Sequence, residues 1–146
     1  MSAKDELRLE REKKMELLRE HQMELYPART HKTHTLGEIR THFTTLVEAE
    51  TPVTIAGRIL SLRRHGGSTF ADIFDGTARI QLFLGQDILG EETYGLFTDA
   101  IDASDFIEAT GTLFVTKRGE ETVQVTSWRM LAKALQAVPS EYFGIA

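Results

Sequence analysis

The 146-residue chain has no cysteine, which excludes a disulfide framework and any thiolate-held metal centre. It has no apolar run approaching the roughly 18 residues needed to cross a bilayer, and the opening MSAKDELRLEREKK lacks the apolar stretch of a secretory signal. We therefore expect a cytoplasmic protein without a membrane partner. Basic residues are in deficit, 17 Lys and Arg against 22 Asp and Glu, for a formal net charge of −5. That balance argues against bulk, sequence-blind binding to duplex DNA. Also missing are a nucleophile–base pair and a glycine-rich phosphate loop ending in Lys-Ser/Thr, so no catalytic residues are assigned.

Charge is nevertheless unevenly placed. Residues 87–108 carry Asp87, Glu91, Glu92, Asp99, Asp102, Asp105 and Glu108 with no Lys or Arg among them. Positive charge gathers at Arg58, Arg63, Arg64, Arg79, Lys117 and Arg118. An acidic back and a mildly basic front suit a small, local contact with a polyanion. Asp87, Glu91 and Glu92 have no evident partner in the sequence and read as the solvated face of a helix. His31 and His34 form an H-x-x-H in a polar loop without a third ligand nearby, and no metal site is assigned.

Along the chain, residues 2–25 are dense in charge and free of Gly and Pro. Ser2 with Asp5 resembles a capping box, Glu10 and Lys14 form an i,i+4 pair, and Leu7, Met15, Leu18 and Leu25 make a thin apolar stripe. One helix is expected, ending before Tyr26-Pro27, because proline disfavours helical geometry in the residue before it. A short second helix is expected over Leu36 to Phe43. From Pro52 the apolar period changes to two, giving strands at 53–64, 68–75, 78–85, 105–117 and 121–131, with a helical insert near 90–101. Gly57 and Gly111 fall inside long strands, where glycine marks a bulge or bend. Five strands with a helix after the third predict a mainly β, five-stranded OB-fold Greek-key barrel with an N-terminal helical extension. The corresponding division is 1–45 for the extension, 52–136 for the barrel and 137–146 for the start of a linker.

The stretch STFADIFDGTARIQLFL, residues 68–84, carries the functional reading. With Asp75-Gly76 as a two-residue turn, paired residues sum to 151, and Phe70 faces Gln81 while Asp72 faces Arg79. A four-residue loop would slide the pairing by two and keep the faces; a three-residue bulged loop would disturb the parity. Alternation puts Ala71, Ile73, Ala78, Ile80 and Leu82 inside. Phe70, Asp72, Phe74, Arg79, Gln81 and Phe83 are left outside. An outward face of this kind is unfavourable in water unless something binds it. An aromatic ring stacks on an unpaired base, and an amide supplies one donor and one acceptor to that base's edge. In a competing reading the N-terminal helix or a partner subunit covers these phenylalanines. Trp128, on the last strand, reads as a core or helix-docking residue.

The runs VTIAGRILSLRRHGGSTFADIFDGTARIQLFL, TGTLFVTKRGEETVQV and LAKALQAVPSEYFG resemble, in the same order over residues 53–144, the N-terminal anticodon-binding domain of class II lysyl-tRNA synthetase. The leading helix and LYPAR fit that family loosely. The resemblance implies that Phe70 stacks on the central anticodon uridine and that Gln81 hydrogen-bonds its edge. It also places Arg63 in the same site and implies that Glu120, in the TKRGE turn, helps select the flanking uridines. Arg64 and His65, in the loop after the first strand, are expected phosphate or base contacts. Gln136 stands where the family often has arginine. The expected partner is the anticodon loop of a lysine tRNA. The alternatives are a general single-strand-binding OB module, an aspartyl or asparaginyl anticodon domain, and a protein-interaction module. The class II catalytic motifs do not occur in these residues, so the resemblance implies part of a longer, homodimeric synthetase. No cofactor is expected for this chain, with ATP and magnesium belonging only to the catalytic domain.

Overall fold

The computed structural model describes residues 2–21 and 30–134. The expected end of the first helix, Leu25 of its stripe, and the exit segment with Gln136 lie outside the described residues. Ten elements follow in order: α1 (Ala3–Glu20), α2 (Leu36–Thr41), α3 (Phe43–Glu48), β1 (Val53–His65), β2 (Ser68–Phe74), β3 (Arg79–Gly85), α4 (Gln86–Leu89), α5 (Glu91–Ala100), β4 (Phe106–Val115) and β5 (Glu121–Ala132). The strands close into a barrel in the order β1-β2-β3-β5-β4. Neighbours are antiparallel except β3 and β5, which run parallel through Gln81–Phe83 and Thr122–Gln124. This is the five-stranded OB architecture, with the helical insert between β3 and β4.

Strand β1 is long enough to serve two partners. Val53–Arg58 pair with β4 and Arg58–His65 with β2. The bend between these halves is a register shift between Ile59 and Ser61, beyond Gly57. At Gly57 the missing Cβ makes room for Ile73 and the Phe74 carbonyl, each of which would lie 2.8 Å away. Gly111 does sit at a shift, between Thr110 and Gly111, and a Cβ there would come 2.0 Å from the Gln124 carbonyl oxygen. Only a residue without a side chain lets β4 and β5 approach so closely. Arg64 and His65 are the last residues of β1, not loop residues.

The interior is filled by the residues that alternation assigns to it. Ile55, Ile59, Ala71, Ile73, Leu82, Leu84, Ile107, Val123 and Val125 are fully buried. Leu36 and Ile39 of α2, Phe43 of α3 and Leu18 of α1 join the same core. Phe97 of α5 meets Trp128 edge-on at 5.2 Å between ring centroids, so Trp128 docks the insert helix onto the barrel wall. Ser2 caps α1 by accepting from the Asp5 amide at 3.2 Å, and Thr35 with Glu38 forms a reciprocal capping box on α2.

The β2–β3 register corrects one expectation. Phe70 pairs with Phe83, Asp72 with Gln81 and Phe74 with Arg79, so Asp75–Ala78 form a four-residue loop. Asp75 is the cause. Its Oδ1 accepts from the Thr77 amide (2.9 Å), the Thr77 hydroxyl (2.6 Å) and the Ala78 amide (3.2 Å), an arrangement that places Asp75 at the entry of the loop. The slip is by two residues, and the faces are preserved.

The acidic stretch divides. Asp87, Glu91 and Glu92 are exposed on α4 and α5. Asp105 and Glu108 are instead buried and ion-paired, Asp105 to Lys133 and Glu108 to Arg129. The partly buried Asp102 meets Lys133 at 2.8 Å and Lys14 of α1 at 2.7 Å. Arg11 adds a bond to the Ala134 carbonyl at 2.9 Å. Through this cluster α1 is anchored beside α5, at the point where β5 ends.

Candidate nucleic-acid interface

Outward residues of the β1–β2–β3 wall and the β4–β5 turn enclose an open groove of about 770 Å³. Arg63 and His65 reach it from β1, Phe70 from β2, Gln81 and Phe83 from β3, and Phe114 from β4. Lys117, Arg118 and Glu120 of the turn close one end, with Gln124 on β5. Five of the six expected site residues, Phe70, Gln81, Arg63, Glu120 and His65, therefore line one groove. Arg64 does not. It follows Arg63 on the strand, where alternation sends it away from the groove.

Neither Phe70 nor Gln81 is turned into the barrel, and both are half-buried on the outer wall. No residue of α1 lines the groove. The rings form a continuous floor, with Phe70 and Phe83 5.1 Å apart, Phe83 and Phe114 6.3 Å apart, and His65 edge-on to Phe70 at 6.3 Å. Since Phe70 pairs with Phe83 and Asp72 with Gln81, the amide stands diagonally from the Phe70 ring. Diagonal neighbours on a sheet lie about 7–8 Å apart. A planar group lying on the ring can thus extend its edge towards the amide.

The polar groups are held in a directional chain. Arg63 Nη1 donates to the Ser61 hydroxyl (3.0 Å) and to Asp72 Oδ2 (2.9 Å), while Nη2 donates to Gln81 Oε1 (3.1 Å). Gln81 Nε2 donates to the Thr122 hydroxyl (3.1 Å), which donates in turn to the Glu120 carbonyl (3.0 Å). The turn itself is closed by the Thr116 amide on the Glu120 carbonyl at 2.9 Å. Asp72, expected opposite Arg79, is instead the carboxylate that positions Arg63. Of the other basic residues, Lys117 and Arg118 reach the groove, whereas Arg58 lies over the Phe106 ring, 4.9 Å from its centroid.

Sequence reasoning did not single out Phe114, Thr116, Thr122 and Gln124. Phe114 was accessible to strand alternation in TGTLFV. Thr122 and Gln124 enter through the parallel β3–β5 pairing, for which no hairpin signal exists. His31 and His34 stand outside the groove. The His31 amide donates to Glu108 at 2.6 Å, and the His34 ring bonds the Thr33 hydroxyl at 2.7 Å.

A closed OB barrel with an aromatic, amide-bearing groove on its β2–β3 face defines the class of small barrels that read unpaired nucleic acid. Comparison with known proteins is more specific. Residues 53–131 match the tRNA anticodon family of OB-fold nucleic acid binding domains, and the chain belongs to that family. It is 42% identical over 143 residues to a lysine–tRNA ligase of Roseiflexus castenholzii, covering 97% of this chain and 29% of that protein. It is 38% identical over 144 residues to one of Thermosipho melanesiensis, covering 96% of this chain and 29% of that protein. A lysine–tRNA ligase of Methanoculleus marisnigri is 37% identical over 134 residues, 90% of this chain and 26% of that protein. The chain thus spans under a third of the length of these relatives. Among the described residues no helix is long and apolar enough to cross a membrane.

Proposed function

We propose that this domain reads the anticodon loop of a lysine tRNA with a UUU-type anticodon. The reading is carried by one observation: Phe70 and Gln81 share a solvent-open groove, with the amide held by Arg63 at 3.1 Å. An unpaired uracil stacks on Phe70, and its edge is hydrogen-bonded by Gln81. Arg63 holds that amide while itself tethered to Asp72. Glu120 at the end of the groove contributes to the choice of the flanking uridines, and His65, Lys117 and Arg118 meet the phosphates. Beyond this domain, the name shared by the relatives supports a parent lysine–tRNA ligase, and the same proposal makes that parent cytoplasmic, homodimeric and dependent on ATP and magnesium. This barrel supplies recognition and no chemistry.

Competition binding tests the reading. A stem-loop RNA with a UUU anticodon should outcompete the same stem-loop with a scrambled loop by tenfold or more, about 1.4 kcal/mol. Equal competition by poly-U and scrambled oligonucleotides would replace it with a general single-strand-binding module.

A further inference from the structure

We propose that Thr122 is a positioning residue that fixes the polarity of the Gln81 amide, and so makes the groove prefer uracil to cytosine at the central position; this rests on the anticodon reading above. An unrestrained glutamine cannot tell these bases apart. Uracil offers an N3–H donor beside the O4 acceptor, and cytosine an N3 acceptor beside the N4 amino donor. A side-chain amide has an acceptor and a donor of its own, and a half-turn about its last bond swaps their order. Recognition of one base therefore requires that this half-turn be blocked.

Both ends of the Gln81 amide are blocked. A guanidinium only donates, so the atom facing Arg63 Nη2 at 3.1 Å is the amide oxygen. At the other end, the Thr122 hydroxyl spends its single proton on the Glu120 carbonyl at 3.0 Å. It therefore presents only lone pairs to the atom 3.1 Å away, which is the Nε2 donor. Flipping the amide would set N–H against guanidinium and draw the Thr122 proton from the carbonyl it serves. Thr122 is fully buried, so its hydroxyl has no solvent partner to turn to, and the Glu120 carbonyl would keep only the Thr116 amide. In the held orientation Oε1 keeps one lone pair and Nε2 one hydrogen for a ligand. With Oε1 towards N3–H and Nε2 towards O4 they complement uracil, whereas a cytosine held in the same position would set N3 against Oε1 and its N4 amino group against Nε2.

The test compares the wild-type chain with Thr122→Val, which keeps the shape and loses the hydroxyl, and Thr122→Ser, which keeps the hydroxyl. Each is titrated with two stem-loop RNAs differing only in the central loop base, UUU against UCU. Wild type and Thr122→Ser should prefer UUU by about tenfold or more, and Thr122→Val should fall to within about threefold. A wild type that prefers UUU alongside a folded Thr122→Val of unchanged preference would overturn the role of Thr122 and leave the anticodon reading intact. Absence of any wild-type preference would overturn both. A second measurement does not depend on the variant folding. In NMR spectra of the wild type, the Gln81 side-chain NH2 protons should show contacts to Thr122; contacts to the Arg63 guanidinium instead would overturn the assignment.

Discussion

The carboxylate of Asp75 joins two elements that are far apart in sequence: its Oδ2 accepts from the Leu36 amide at 2.8 Å while its Oδ1 gathers the Thr77 and Ala78 donors of the β2–β3 loop. One side chain thereby sets the register of the wall that carries Phe70 and Gln81 and ties that wall to the start of α2. Burial opposes the charge on Asp75, but the bonds from the Leu36 amide, the Thr77 side chain and the loop amides outweigh it, leaving the carboxyl below its ordinary value.

A lowered carboxyl pKa has a definite sign in stability. The contribution is complete above the unfolded value, 3.8, and is lost as pH falls through the lower folded value. Asp75→Ala should cost about 1–3 kcal/mol at neutral pH by leaving several amides without an acceptor. The deficit should shrink in acid, below the ordinary aspartate range. Urea melts of the two proteins at neutral pH and in acid check this. A pH-independent difference would mean that the charge on Asp75 contributes nothing.

Removal of the stacking ring is the most direct probe of the groove. Phe70→Ala should weaken binding of the UUU stem-loop by about 1–3 kcal/mol without a comparable loss of stability, because the ring is on the outer wall. Unchanged affinity in a fluorescence titration would remove Phe70 from the interface.

Arg63 already shares its charge with Asp72 at 2.9 Å, and Lys117 and Arg118 are two further exposed cations of the groove. Two or three neutralised phosphates correspond to a log–log salt slope of about −1.4 to −2.1 for single-stranded RNA. A slope several times steeper, as for a polybasic protein, would contradict a local contact.

The barrel and its faces were legible because alternation is a local property. Ile73, Ile80 and Leu82 read as interior and Phe70 and Gln81 as exterior whether a two-residue or a four-residue loop joins the strands, and the loop is of four. Their register was not legible, since it turns on whether Asp75 bonds ahead to Thr77 and Ala78 or enters the turn itself. Nor was the parallel β3–β5 pairing, which brings Thr122 to Gln81 across 41 residues. The pairing of Asp102, Asp105 and Glu108 was not legible, because their partners, Lys14, Arg129 and Lys133, lie on other elements. The four site residues implied by family resemblance, Phe70, Gln81, Arg63 and Glu120, line one groove with His65, while Arg64 does not line it.

Those hidden partners lead to the last prediction. Lys133 is fully buried and donates to Asp102 (2.8 Å), to Asp105 and to the Ala100 carbonyl (2.8 Å). Lys133→Met keeps the apolar stem and removes the ammonium, leaving the fully enclosed Asp105 carboxyl without its cation. Breaking a buried pair from one side costs about 3–5 kcal/mol, whereas replacing both partners with apolar groups is often close to neutral. The double variant Lys133→Met/Asp105→Leu should therefore recover part of the loss, although the Asp102 and Ala134 amides that bond Asp105 at 2.8 Å limit the recovery. Denaturant melts of the two single variants and the double variant give the coupling energy. Strict additivity would show that the two charges stabilise the corner independently of one another.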